Sequence, residues 1–455
     1  MNPRVFREYD IRGMADRDLS DEFSNDLGRA IGTHLHRAGA RRIVLGRDCR
    51  LSAGRLHQAL LEGLMSTPLA IVDVGVVPTP VLYYAAFHFD MDGGVQITGS
   101  HNPPEDNGFK VLRGKTTIHG AEIQELRQLI DRRDFVSGKG TYETEDVVRP
   151  YIDFAKQQLR IGSRRPKVVV DAGNGVGGIA AIPLYREIGF DVVPLFCEPD
   201  GSFPNHHPDP TVEANVATLR AVLASENAEV GIALDGDADR LGVVDQKGRI
   251  VWGDQLMILF ARSILAEHPG ATFVSEVKCS QALYDEIERA GGRAIMWKVG
   301  HSLIKSKMKE SGAVLAGEMS GHIFFANRYL GFDDAIYSGA RLLELLSHDE
   351  RTLAALVDTL PRMVNTPEIR VEMPDDIKFE VVRRVTERFR RDYPVVDIDG
   401  MRVKVDDGWG LVRASNTQPA LVMRFEASSQ ERLAALRSMV ETEIVNQRRE
   451  LRSER

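Results

Sequence analysis

Three aspartates, Asp235, Asp237 and Asp239, alternate within DGDADR directly after an apolar run. Carboxylates this close repel one another and resist burial unless a cation or protons neutralise them. Hard oxygen ligands suit Mg2+, which commonly keeps phosphate oxygens in its shell as well. An EF-hand would need Gly at the sixth loop position and Glu at the twelfth, where Arg240 and Gln246 stand. The competing reading is a solvated acidic hairpin, because Asp-Gly favours turns.

A second polar turn, TGSHNPPEDNGFK (Thr98–Lys110), sets Ser100 at a strand end beside His101 and Asn102. It is not a G-x-S-x-G elbow: Gly99 precedes Ser100 at the wrong offset, and Asn102 occupies the place of the last Gly. Pro103–Pro104 and Asn107–Gly108 mark a rigid, turned loop, so Ser100 read alone is a turn or capping residue. In GEMSGH (Gly317–His322), Glu318 and Ser320 stand two apart and face the same way in an extended segment. A carboxylate and a hydroxyl so placed can hold vicinal sugar hydroxyls. RASNTQP (Arg413–Pro419) combines an Arg fork with hydroxyls and loop amides, a donor set that suits phosphate. A plain turn competes with each of these two readings.

The elements that carry the turns repeat three times. Arg41–Asp48, Pro68–Val77 and Gly93–Ser100 read as strands, followed by Pro166–Gly175, Phe190–Phe196 and Glu229–Arg240, then by Ala271–Val277, Gly292–His301 and Gly312–His322. Short β-branched runs alternating with helical stretches predict largely parallel, helix-covered sheets. Each third strand runs into a polar turn, and in such sheets ligands gather at the carboxyl ends of strands. Beyond Pro361 the pattern changes to strands joined by turns, with helices over 376–391 and 429–449. The fold class is therefore α/β: three similar α/β domains with mixed, mainly parallel sheets, plus a C-terminal α+β domain, around a central cleft. The divisions read as 1–140, 141–248, 249–360 and 361–455.

GNGVGG (Gly173–Gly178) matches a dinucleotide fingerprint, but the acid that should hold a ribose is misplaced: Asp191 precedes the next strand instead of ending it. A tight strand-to-helix turn is the better reading, and the chain has no Walker-type phosphate loop. A net charge of -8 disfavours a nucleic-acid role that depends on a basic face. No apolar run approaches a membrane span or a signal peptide. Cys49, Cys197 and Cys279 are scattered and odd in number, which argues against a disulfide framework or thiolate metal site and for a reducing, cytoplasmic location.

With TGSHNP, DGDADR, GEMSGH and RASNTQP in this order, the sequence resembles the α-D-phosphohexomutase superfamily over nearly its whole length. Within it, the chain is similar to the bacterial phosphomannomutase/phosphoglucomutase group, whose fold is four-domain and heart-shaped. The resemblance implies that Ser100 carries a phosphoryl group, and that Asp235, Asp237 and Asp239 bind Mg2+ together with an oxygen on Ser100. Glu318 and Ser320 would hold sugar hydroxyls, with His322 nearby. Arg413, Ser415, Asn416 and Thr417 would clamp the phosphate that is not reacting. Tyr9 and Arg12 match the family's N-terminal site segment, Lys110 and His301 match positions for proton transfer, and Arg240 and Lys278 would face the cleft. For Lys110 to act as base, its pKa would have to be lowered.

The implied reaction interconverts hexose 1-phosphate and hexose 6-phosphate through a hexose 1,6-bisphosphate, in a monomer or homodimer without nucleic-acid or membrane partners. Surface polysaccharide synthesis is the implied setting. The rivals are a phosphoglucosamine mutase, which usually has Gln at Met319 and Gly at Asn416, and a sugar-phosphate sensor that has lost catalysis.

Overall fold

Runs such as Val168–Asp171 and Val230–Leu234 are fully buried central strands, as β-branched side chains pack well on a pleated surface covered from both sides. The computed structural model describes residues 2–415 and 419–453. Four sheets of seven, five, four and six strands follow one another along the chain.

The first three sheets share one core arrangement. In the first, Arg42–Arg47 lies between Ala70–Val76 and Gly93–Ile97, parallel to both, and Asp106–Arg113 returns antiparallel beside Gly93–Ile97. In the second, Val168–Asp171 lies between Val192–Leu195 and Val230–Leu234, with Leu241–Asp245 returning. In the third, Thr272–Glu276 lies between Arg293–Trp297 and Leu315–Gly317, with Ile323–Phe325 returning. The sheets are mixed, and their central pairs are parallel. The Ser100 turn, the aspartate turn and the Glu318 turn thus occupy one equivalent place in three tandem units: the hairpin between third strand and return strand.

The sequence pattern shows that return strand in the second and third units as an apolar run. In the first it is masked by its opening residues, Asp106-Asn107-Gly108, so the hairpin there emerges only in the structure. Helices cap in the expected way; Ser20 Oγ, for example, accepts the Phe23 N–H at the start of Asp21–Arg37. The C-terminal sheet is antiparallel throughout, in the order Val364–Asn365, Ala420–Ala427, Gly408–Ala414, Met401–Val405 and Val395–Val396, with Ile369–Glu372 also on Ala420–Ala427. Helices Lys378–Arg390 and Gln430–Ser453 cover it.

The cores show how the pieces are joined. One continuous apolar cluster runs through the three α/β units, from Val44 and Leu82 through Val170 and Leu234 to Leu256 and Leu342. The C-terminal domain has its own cluster around Val385, Phe425 and Val440. Between it and the third unit lies a small patch of Val277, Trp409 and Leu411 within a polar seam. There Arg402 stacks on Trp409 at 3.8 Å and donates to the carbonyls of Val277 and Cys279. Arg424 donates to the Lys278 carbonyl, and Glu426 accepts the Gln281 N–H.

Candidate active site

The carboxyl ends of the three third strands open into one cavity of about 500 Å³. Ser100 lies at its floor, 3% exposed, with a φ of 49°. A non-glycine residue in that region costs about 1–3 kcal/mol and persists only where its surroundings hold it. Arg50 does the holding. Its guanidinium, wholly buried, donates to four carbonyls of the serine loop, those of Ser100, Asn102, Pro103 and Asp106. Asp48, 3.3 Å from Arg50 Nε, balances its charge and also accepts the Gly99 N–H. Sequence reading missed Arg50, because its role appears only once the fold closes a separation of fifty residues.

The aspartate turn meets this loop backbone to backbone. A side-chain carbon on Gly236 would come within 2.4 Å of the Ser100 carbonyl oxygen, and one on Gly175 within 2.5 Å of the Gly236 oxygen. The glycines of GNGVGG therefore serve a close packing of turns, in keeping with a tight strand-to-helix turn. Ser100 Oγ donates to Asp235 Oδ2 at 2.7 Å, and His101 Nδ1 lies 3.1 Å from the same oxygen atom of the serine. Thr79 donates to Asp237 Oδ2 at 2.6 Å.

Asp235, Asp237 and Asp239 are wholly buried, and each offers an oxygen within 4.8 Å of the others'. Asp237 Oδ1 and Asp239 Oδ1 are buried without a hydrogen-bond partner. Burial, then Asp239 and Asp237, push the Asp235 carboxyl well above the usual range. Orphaned buried carboxylate oxygens in such a cluster fit a divalent cation, which would pair them. Lys110 Nζ supplies part of the compensation, 2.7 Å from Asp237 and 2.5 Å from Asp239. Burial works against its ammonium, but Asp237 and Asp239 together outweigh this and raise Lys110 well above its ordinary value. That direction is opposite to the lowering a Lys110 base would need, and it favours the ammonium form.

Around the cavity wall, Arg12 donates to Asn102 and pairs with Asp10, while Tyr9 donates to the Val299 carbonyl at 2.9 Å. Arg240 Nε donates to His322 Nε2 at 3.0 Å. Because a guanidinium can only donate, His322 keeps its lone pair there and its proton on Nδ1. That proton faces Asp333 Oδ2 at 3.3 Å, and His301 Nδ1 lies 3.5 Å from the same oxygen. His301 and His322 stack at 5.5 Å. Burial, then Lys305, lower His301 well below the usual imidazole value, which favours its neutral form. Asp333, itself fully buried and paired with Lys305, is a second residue that the motifs did not reveal.

Glu276 links the remaining turns by accepting the N–H of both Lys278 and Met319. Lys278 Nζ lies 3.3 Å from Glu368, and Glu318 accepts the Gly300 N–H at 2.7 Å. Ser320, Arg413 and Ser415 reach the same cavity. One cavity thus gathers the sequence-predicted residues that can be placed, with Asp235 and Asp237 just behind its wall. Asn416 and Thr417 lie outside the described residues.

Family models described as phosphoglucomutase/phosphomannomutase alpha/beta/alpha domains I, II and III match residues 3–137, 149–248 and 252–363, and the C-terminal domain model matches 368–443. The chain is 45% identical to a phosphomannomutase/phosphoglucomutase of Pseudomonas aeruginosa over 97% of its own length and 95% of that protein's. It is 44% identical to a phosphoglucomutase of Neisseria gonorrhoeae, covering 94% and 93% of the two chains. A crystal structure of a phosphoglucomutase/phosphomannomutase family protein from Burkholderia thailandensis superposes with a TM-score of 0.92 at 41% identity, covering 98% of each chain.

Proposed function

Given that the chain belongs to the phosphoglucomutase/phosphomannomutase family, we propose that Ser100 is the phosphoryl carrier of a hexose-phosphate isomerase that works on both mannose and glucose phosphates. The enzyme interconverts hexose 1-phosphate and hexose 6-phosphate. The observation that carries the assignment to Ser100 is its place: its Oγ lies 2.7 Å from the aspartate cluster, on the floor of the cavity that Glu318 and Arg413 also enter. Neither a phosphoglucosamine mutase nor an inactive sensor is favoured by relatives of this identity.

Asp235, Asp237 and Asp239, with an oxygen on Ser100, would hold Mg2+, which supplies neutralisation of the charge on a transferring phosphoryl group. Lys110 and Arg240 add fixed positive charge beside it. Glu318 and Ser320 hold the sugar hydroxyls, while Arg413 and Ser415, with Lys278 nearby, receive the distal phosphate. The Ser100 Oγ–P bond breaks as the phosphoryl group bonds to the free hydroxyl of the substrate, whose proton goes to His301 as a neutral imidazole. Ser100 Oγ leaves as the alkoxide that takes the phosphoryl group back in the return step, when the imidazolium gives its proton to the hydroxyl then freed. The resulting 1,6-bisphosphate turns over and returns its other phosphate to Ser100. Arg413, Ser415 and Lys278 must therefore accept either end of the sugar.

The four separate sheets support a division into four domains, with the first two boundaries a few residues beyond 140 and 248, because Thr141–Thr144 pairs in the first sheet and Ile250–Val251 in the second. No helix among the described residues is long and apolar enough to cross a membrane, and we place the enzyme in the cytoplasm as a monomer or homodimer. Incubation with glucose 1-phosphate, Mg2+ and a trace of glucose 1,6-bisphosphate is expected to give glucose 6-phosphate, with mannose 1-phosphate converted in parallel. A chelator is expected to stop turnover and added Mg2+ to restore it. Turnover unchanged by chelation would refute the metal assignment.

A further inference from the structure

Asp399 belongs to none of the sequence motifs, yet it joins two of them. It stands just before strand Met401–Val405 in the C-terminal domain. Its Oδ2 accepts from Arg413 Nε at 3.1 Å and from the Val299 N–H at 3.0 Å. The first donor is the phosphate-turn arginine of the same domain; the second is backbone of the third α/β unit.

The chain of contacts continues from there. The Val299 carbonyl accepts from Tyr9 of the first unit, and the next residue, Gly300, gives its N–H to Glu318. One carboxylate oxygen therefore stands between the arginine at the phosphate end and the loop that fixes the sugar-turn glutamate. Among the described residues Asp399 is the sole hydrogen-bond and ion-pair partner of the Arg413 side chain, which lines the cavity. Held through Nε, the guanidinium keeps its two terminal nitrogens for a bidentate anion.

We propose that Asp399 is a positioning residue: it aims Arg413 at the distal phosphate and, by accepting the Val299 N–H with the same oxygen, ties the phosphate grip to the sugar turn. The proposal rests on the reading that Arg413 receives the non-reacting phosphate. A free arginine side chain gives up rotamer freedom when it is fixed on a ligand. Asp399 has already restricted it before substrate arrives. Loss of Asp399 therefore weakens binding of ground state and transition state alike, and leaves the chemistry at Ser100 in place.

The test compares the full-length parent with Asp399→Ala and Asp399→Asn. Steady-state rates with glucose 1-phosphate are measured at fixed Mg2+ and glucose 1,6-bisphosphate, and titration calorimetry gives Kd for glucose 1-phosphate without turnover. For Asp399→Ala, KM and Kd are expected to rise about tenfold with kcat within about threefold of the parent. The Asn variant falls between, because its amide oxygen still accepts but carries no charge. Melting temperature guards against misfolding; if the Ala variant melts early, the Asn variant decides. Parental KM and Kd, or a fall in kcat at unchanged KM, overturns the proposal. A parent that binds glucose 1-phosphate without isomerising it overturns the mutase reading instead, and Kd still decides the role of Asp399.

Discussion

Replacing Ser100 with alanine is expected to lower turnover of glucose 1-phosphate by about four orders of magnitude or more, the scale seen when a nucleophile is removed. The variant should bind substrate nearly as the parent does, because the sugar and distal-phosphate turns are untouched. Intact mass gives an independent reading. After incubation with glucose 1,6-bisphosphate the parent should gain one phosphoryl group, and the variant none. The change is small in volume, and the loop keeps its four bonds from Arg50 to main-chain carbonyls, so the melting temperature should stay close to the parent's. If the alanine variant turns over like the parent, Ser100 is not the carrier.

The second large effect is expected from Gly236→Ala, which changes no group with chemistry of its own. The added methyl would sit 2.4 Å from the Ser100 carbonyl oxygen, a distance at which one backbone must move. Neither can move freely: the serine loop is pinned by Arg50, and Asp235, beside Gly236, accepts the N–H of both Asp239 and Arg240. A shift of about 1 Å between carrier and metal ligands costs on the order of 100-fold in rate, and overpacking at a rigid contact costs about 1–3 kcal/mol. Both kcat and melting temperature should fall, with the loss in kcat far exceeding any loss of folded protein. A variant with parental kcat would show that the two turns need not meet at this distance.

Much of the site was legible because each turn gathers its chemistry within a few residues. Three aspartates at alternate positions, or Glu318 and Ser320 on one face, stand out locally as candidates, although a plain turn competes with each until the fold brings them to one cavity. The threefold repeat was legible from the apolar runs, apart from Asp106–Arg113, whose polar opening conceals a strand that pairs with Ile11–Met14 along its first half and Gly93–Ile97 along its second. Arg50, Asp333 and Asp399 could not be read in this way. Each acts on partners from other segments: Arg50 on a loop fifty residues away, Asp333 on two histidines from different elements, Asp399 on Val299 across a domain seam. Lys110 was found by its motif position, but its protonation was not. That depends on carboxylates 127 and 129 residues distant, which only the fold brings to it.

The seam between the third unit and the C-terminal domain has a calorimetric consequence. Three units sharing one apolar cluster should melt together, whereas a domain with its own cluster and a mostly polar seam has little reason to melt with them. Scanning calorimetry should therefore resolve two endotherms, the smaller one from the C-terminal domain, and one symmetrical peak would show that the seam couples more tightly than its composition suggests. Because parting the seam wets little hydrocarbon beyond Val277, Trp409 and Leu411, opening should carry only a small heat-capacity change. The domain can then swing over a wide range of temperature without baring a surface that invites aggregation.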